Sequence, residues 1–288
     1  MFAPDQYELI DFGRGRKLER FGPYLLDRPS PAAENAAPRN PSAWDSAAAR
    51  FRRTQGQQGC WEPAGALPET WHVRHQALTF ELAPNDTGHL GLFAEQAANW
   101  DWLDPVIRQA HANEGSTPLR VLNLFAYTGG STLAAAASGA QVTHVDAAAV
   151  VVTRARRNAA ASGLAEAPIR WIVDDVRKFV RRETNRGNRY DALILDPPGY
   201  GHGPKGKVWK LADDLPALVD DCAAILTDAA FVLATWHTAD LEVADMKRHV
   251  ARLVSRPVKH LQASEMTLST RDGHTLNSGH AIRWSRDH

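Results

Sequence analysis

From residue 120 onward the chain alternates short apolar runs rich in β-branched residues, at 121–125, 141–146, 169–174, 190–196 and 229–236, with helical stretches. Runs this apolar suit parallel strands covered on both sides, so the rhythm predicts an α/β sheet with helices on both faces. Several runs finish in polar residues, and open α/β sheets bind ligands at the carboxyl ends of their strands. Segments 257–266 and 280–284, separated by Arg271-Asp272-Gly273, predict a closing antiparallel hairpin. Upstream the texture differs. Residues 7–12 and 23–27 read as short strands, and 70–75 with 77–83 as a hairpin about a turn near Gln76. Between them the stretch from Pro29 to Trp44, rich in Pro, Ala and Asn, reads as a surface loop. Residues 1–95 are thus expected to be a mainly β region that grips substrate or lids a pocket. Residues 96–288 form the α/β domain, preceded after Gly91 by a helical stretch aligning Phe93, Ala97, Trp100 and Leu103.

Composition removes several classes. With 288 residues, 44% hydrophobic and 23% charged, the chain is long and apolar enough for a full core and is no disordered tail. Basic and acidic residues balance at 33 each, and residues 120–288 carry 22 against 18, so bulk charge alone would not hold a polyanion. Cys60 and Cys222 offer neither a disulfide framework nor a metal pair; a reducing cytoplasm is expected, and no metal. The charged first twenty residues predict no secretory leader. Segment 121–145 lacks Asp, Glu, Lys and Arg, but Asn123, Gly129, Gly130 and Gln141 would break a membrane helix.

Candidate chemistry gathers at the strand ends. Asn123-Leu-Phe125-Ala126-Tyr127-Thr128-Gly129-Gly130-Ser131 joins the first strand of the α/β region to an Ala-rich helix. Its glycines either bring backbone to a ligand at a helix start or serve a tight packed turn. The spacing is neither GxxxxGK[ST] nor GxGxxG, which disfavours phosphate cradling. Asp146, ending the next strand with Ala147 after it, either accepts the hydroxyls of a ribose or caps the following helix. Asp174, Asp175 and Val176 either meet an adenine amino group and ring nitrogen or cap in their turn. Asp196-Pro197-Pro198-Gly199-Tyr200 is the most specific signal. Two prolines stiffen an extended strand exit, so Asp196 and the Pro197 carbonyl can accept from a planar amine while Tyr200 stacks on a base turned out of its helix. The bare alternative is an ordinary Pro-Pro strand exit.

In order and spacing, VLNLFAYTGGST, VDAAAVVVTRARRNAAASGL, DDVRKF and LILDPPGYG resemble class I S-adenosylmethionine-dependent methyltransferases, most of all the large-subunit 23S rRNA branch. The resemblance covers about residues 88–285 and includes His89-Leu-Gly-Leu-Phe-Ala-Glu-Gln96; the N-terminal β region matches less specifically. It implies a Rossmann-like fold with a mostly parallel seven-stranded sheet and a terminal antiparallel hairpin. It also implies S-adenosylmethionine as cofactor, with Asn123 to Ser131 at its methionine part, Asp146 at its ribose, Asp175 and Val176 at its adenine, and Gln96 in the same set. Asp196 to Tyr200 would line the seam between methyl and acceptor.

Three departures stand out: Asn123 and Tyr127 replace an acid and a glycine common in class I enzymes, Ala147 and Ala148 give the helix after Asp146 no polar start, and Ala234-Thr-Trp-His-Thr238 carries no cysteine. Family members that methylate carbon 5 of cytosine place a cysteine nucleophile after the fifth strand, so nitrogen is favoured over carbon 5. Cys222 reads as core, and His237 as a structural residue or a proton acceptor. The expected acceptor is a base of RNA, in particular rRNA, with Lys205 and Lys207 on phosphates and Trp209 stacking. The Arg-rich stretch 177–189 reads as solvent-facing charge. A methyltransferase acting on a small molecule or protein, or a cofactor-binding protein without transfer, is the alternative.

Overall fold

The computed structural model describes every residue except 57, 115–116, 203–207, 239–240 and 287–288. The chain divides into two compact units. One is 1–97 with 267–278, and the other is 98–266 with 279–288. The expected boundary at 95/96 falls two residues later, and the tip of the closing hairpin groups with the N-terminal unit.

In that unit, β1 (Tyr7–Gly13), β2 (Arg16–Phe21), β3 (Tyr24–Pro29), β4 (Ala49–Gln55) and β5 (Gln58–Glu62) form a sheet in sequence order. All neighbours are antiparallel except β3 and β4. A hairpin of β6 (Trp71–His75) and β7 (Leu78–Leu82) turns at Gln76, in the left-handed region at φ 52°. Strands β2, β4 and β5 lie outside the sequence expectation: β2 and β4 are rich in charged residues, of which Glu19 in β2 is buried, and β5 buries none of its residues. Glu19 is fully buried, accepting from Arg28 (Nη2, 2.8 Å) and Tyr7 (2.8 Å) and pairing with Lys17 (3.0 Å). Burial pushes its carboxyl pKa up, but the Arg28 and Lys17 charges outweigh this and hold it below the ordinary value. The expected loop after Pro29 contains two short 3-10 helices, Pro31–Ala33 and Pro41–Ser46.

The second unit carries α1 (Ala97–Glu114) from its second residue, then β8 (Arg120–Leu124), α2 (Gly130–Ala137), β9 (Gln141–Asp146), α3 (Ala149–Ala161), β10 (Ile169–Val173), α4 (Val176–Asn185) and β11 (Tyr190–Leu195). A small hairpin of β12 (Tyr200–His202) and β13 (Val208–Lys210) follows. Next come α5 (Leu211–Ala223), β14 (Leu226–Trp236), α6 (Val243–Val254), β15 (Ala263–Ser269) and β16 (Thr275–Ser285). The seven-stranded sheet runs β10-β9-β8-β11-β14-β16-β15, parallel from β10 to β14, with β16 antiparallel to β14. Central strands are covered on both faces, as their apolar runs require. Edge strand β10 is only half-buried, with Val173 exposed. The chain winds outward from β8 through β9 to β10, then returns to place β11 on the other side of β8. That reversal opens a crevice at the carboxyl ends of β8 and β11. Among the described residues no helix is long and apolar enough to cross a membrane.

Candidate active site

The turn leaving β8 holds three residues in left-handed backbone: Phe125 (φ 56°), Tyr127 (φ 49°) and Gly129 (φ 91°). Two of these are not glycine, and such conformations persist only where surroundings enforce them. Here the enforcement is visible. Ala126 N–H donates to the Val145 carbonyl (3.0 Å), Tyr127 N–H to Asp146 Oδ2 (2.9 Å), and the Asn158 amide to the Thr128 carbonyl (2.9 Å). At Gly130 a Cβ would collide with the Trp100 indole. Gly129 is the N-cap of α2 and supplies no side-chain acceptor to its first amides. Phe125, Tyr127, Gly130 and Ser131 are partly accessible; Asn123, Ala126 and Thr128 are buried.

Asn123 is therefore a strut rather than a ligand contact through its side chain. Its amide donates to Thr132 Oγ1 (2.9 Å), which lies 2.9 Å from His144 Nδ1. Burial, then the Arg156 charge, drives the His144 pKa down to about 3, so this ring is neutral.

Asp146 is engaged by the chain at both of its oxygens. Oδ2 locks the turn at Tyr127 while Oδ1 accepts the Ala148 N–H (2.9 Å) just before α3, whose first amides receive no side-chain cap. It stays partly accessible, as does Ala147. Burial raises its pKa above the ordinary value despite the amides of Ala148, Tyr127 and Ala147, which pull it down. Asp175 caps α4, accepting Lys178 N–H at 3.1 Å, and Asp174 accepts the Asp175 amide (2.8 Å) and pairs with Arg182. Both carboxylates are thus engaged by the chain, and Val176 is buried at the first position of α4.

Across the crevice, Asp196 leaves β11 partly accessible, followed by buried Pro197 and exposed Pro198; Tyr200 is 57% exposed. His237 Nε2 at the end of β14 lies 3.5 Å from Asp196 Oδ1. The shelf is fastened at its far side: Trp209 Nε1 donates to the Pro198 carbonyl (2.7 Å) and Leu211 N–H to the Gly199 carbonyl (3.0 Å). This corrects the stacking role expected of Trp209. Trp209 is buried at 6% exposure, its ring tilted against Phe125 at 4.9 Å and the Arg177 guanidinium 5.6 Å from its centroid, so its faces are taken up by the chain itself. Trp209 instead ties the turn after β8 to the shelf after β11. Sequence reasoning missed that role because the only signal was an aromatic residue near a glycine-rich loop. Arg177 likewise departs from the expected solvent-facing charge, being buried beside Trp209 and paired with Asp214.

Lys205 and Lys207 lie outside the described residues. Gln96 is buried on a short 3-10 helix, Ala94–Gln96, in the N-terminal unit. Cys222 is fully buried, and burial, with the Asp221 charge second, pushes its thiol pKa up, so the thiol stays protonated.

A reversed parallel sheet with a strained turn, an acid ending the neighbouring strand and a rigid proline shelf across the crevice defines a Rossmann-like class I methyltransferase fold. A family model described as S-adenosylmethionine-dependent methyltransferase matches residues 37–247, and the chain belongs to that family. A solved structure of the S-adenosylmethionine-dependent methyltransferase from Agrobacterium tumefaciens is 36% identical, with TM-score 0.86 over 97% of this chain and 90% of its own. A Streptococcus mutans protein described as an S-adenosylmethionine-dependent methyltransferase shares the fold at 17% identity, with TM-score 0.71 over 97% of this chain and 74% of its own. Among curated relatives, ribosomal RNA large subunit methyltransferase I of Klebsiella pneumoniae is 38% identical over 82 residues, which is 28% of this chain and 20% of that protein. The protein of that name from Aeromonas salmonicida is 34% identical over 100 residues, 34% of this chain and 25% of its own. The match thus spans only a fifth to a quarter of these relatives.

The residues present fit the cofactor. The α2 amides without a side-chain cap suit a carboxylate, Gly130 and Ser131 at the helix start stay partly accessible, and Asp146 retains accessible acceptor capacity.

Proposed function

We propose that this methyltransferase modifies a base of RNA, in particular ribosomal RNA, at a nitrogen atom. The observation that carries this reading is the shelf from Asp196 to Tyr200, which presents a carboxylate, a rigid backbone and a 57% exposed aromatic ring together at the crevice. The accessible part of the turn, Phe125 to Ser131, holds the methionine portion of the cofactor. Asp146 takes its ribose, and Val176 faces its adenine through the start of α4, with Asp175 fixing that start as cap. The bound cofactor supplies a methyl group already activated as a sulfonium, so the chain's task is alignment and exclusion of water. Tyr200 stacks on the unpaired base. Asp196 and the Pro197 carbonyl accept hydrogen bonds from its amine and aim the nitrogen lone pair at the methyl carbon. On taking the methyl group the acceptor nitrogen would shed a proton, and Asp196, with His237 3.5 Å away, would receive it.

Carbon 5 chemistry is disfavoured because it needs a thiolate at the ring; Ala234 to Thr238 has no cysteine and the Cys222 thiol is buried. Lys205 and Lys207 fit contacts to the RNA backbone by sequence alone. Two cysteines without a partner suit a reducing cytoplasm. The test is transfer from labelled S-adenosylmethionine to total RNA of a strain lacking the gene, followed by nucleoside mass spectrometry. Ribonuclease-sensitive label on a base nitrogen is expected. Label on carbon 5 would refute the atom; label confined to protein or small molecules would refute RNA.

A further inference from the structure

The stretch from Pro29 to Trp44 forms a wall. Asp11 accepts the amides of Arg39 (3.0 Å) and Asn40 (2.9 Å) and the indole N–H of Trp44 (2.8 Å). Opposite lies one face of the five-stranded sheet, where the register sets Asp27 beside Leu18 on one neighbour and Arg50 on the other. Arg16 and Arg52, each two residues along its strand from these pairs, share that face. Between wall and sheet runs a groove of about 450 Å³ lined by Arg14, Arg16, Asp27, Trp44, Arg50 and Arg52. A second hollow of about 560 Å³ shares Trp44, Arg50 and Arg52 with it and extends the channel past Ala47.

Four guanidinium groups in the first groove meet one carboxylate. Asp27, nearly fully buried, is shared by Arg16 and Arg50 at 2.5 Å each, so one negative charge positions two positive ones. Arg16 also donates to the Phe51 carbonyl (2.9 Å). Arg14 projects from a left-handed turn, and Arg52 pairs with Glu62 at the exposed end of the channel. Guanidinium groups fixed by a buried acid lose little freedom on meeting an anion, and their planar donor forks match phosphate. Trp44, its N–H anchored on Asp11, presents a partly accessible ring to the same groove. Surplus positive charge beside an anchored aromatic ring is the pairing that a phosphodiester with unstacked bases requires.

We propose that this groove binds a single-stranded stretch of RNA, with phosphates on Arg14, Arg50 and Arg52 and one base stacked on Trp44. The inference rests on RNA being the acceptor and adds a binding surface that shares no residue with the turn or the shelf. A charged groove would also attract an acidic peptide; the ring favours the polynucleotide.

The test is fluorescence anisotropy of the full-length protein with a labelled single-stranded RNA of about twelve nucleotides across a salt series. The double variant Arg14→Gln/Arg52→Gln spares the Asp27 pairs and is expected to unfold at the wild-type temperature. It should bind about tenfold or more weakly, with the slope of log K against log salt reduced by about 1.4, near 0.7 for each lost contact. Trp44→Leu should weaken binding about fivefold or more and leave the slope unchanged. Wild-type affinity and slope in the double variant would overturn the proposal, as would polyglutamate competing as well as unlabelled RNA. If the wild type labels RNA but the double variant binds and labels equally well, the groove assignment alone fails. If the wild type labels no RNA, the acceptor reading fails.

Discussion

The two units place their charged groups in opposite ways. In the α/β unit the central strands are apolar and the chemistry sits at their carboxyl ends, at Phe125 to Ser131, Asp146 and Asp196 to Tyr200. In the N-terminal unit charges lie within the sheet itself, with Glu19 bound by Arg28 and Lys17 on one face and Asp27 bound by Arg16 and Arg50 on the other. A parallel sheet covered by helices on both sides cannot solvate a mid-strand charge, so it pushes polar groups to the strand tips, where loops meet ligand. A small antiparallel sheet can admit charges wherever each is paired, and then depends on those pairs for its fold.

That contrast breaks most sharply at Asp196. Asp196→Ala is expected to lower methyl transfer more than about a thousandfold while cofactor affinity, measured by calorimetry, stays within about tenfold. Near-normal turnover would remove Asp196 from the transfer step. In the other unit the large effect should fall on stability: Glu19→Ala leaves Arg28 buried without its partner and should cost about 3–5 kcal/mol in chemical denaturation. A loss below about 1 kcal/mol would mean that the buried pairs do not carry that sheet. Gly130→Ala comes next. Its Cβ meets the Trp100 ring, so about 1–3 kcal/mol of overpacking should appear in unfolding. Cofactor affinity should fall about tenfold, because the turn must shift.

Acidification weakens both units, each over its own pH window. Glu19, with its folded pKa depressed, contributes stability that is full above the ordinary carboxylate pKa and lost as pH falls through its lower folded value. His144, depressed to about 3, is neutral when folded and charges more readily when unfolded, so stability in the α/β unit declines as pH drops from about 6.5 toward 3. Asp146, raised by burial, protonates at higher pH than an ordinary Asp. Cofactor affinity should accordingly fall before the fold does, which calorimetry and circular dichroism over one pH series would resolve. The smallest effect belongs to Cys222→Ala. Turnover should stay within about twofold with about 1–2 kcal/mol lost in unfolding, and a collapse of turnover would revive a thiol mechanism.

The same contrast explains what was legible in the sequence. β8, β9, β10, β11 and β14 stood out as apolar runs because nothing in their middles competes with burial. Asn123 and His144, which both meet Thr132, and Arg170 in the half-buried edge strand β10 are exceptions. β2 and β4 did not stand out, since Arg16, Lys17, Glu19, Arg50 and Arg52 read as solvent-facing until their partners from other strands are known. At the site, Asp146 was placed by its spacing from the glycines. Whether an acid caps, locks a turn or faces ligand depends on amides that no spacing reveals, and Asp146 locks the turn at Tyr127 while its other oxygen takes the Ala148 amide. Trp209 was misread for the same reason: an aromatic residue beside lysines looks like a stacking platform, and only the Pro198 carbonyl and the Phe125 ring define it as a fastener.

The N-terminal unit is discontinuous, and this bears on the order in which the protein is made. Residues 267–278 supply it with buried Leu268 and Leu276, the Arg271 partner of Glu8, and His274 stacked on Phe12 at 4.0 Å. On the ribosome the strands that emerge first therefore wait through the synthesis of 98–266 before their own packing can be completed. A nascent chain arrested near residue 200 should carry an N-terminal sheet open to protease, although every strand from β1 to β7 has already been translated.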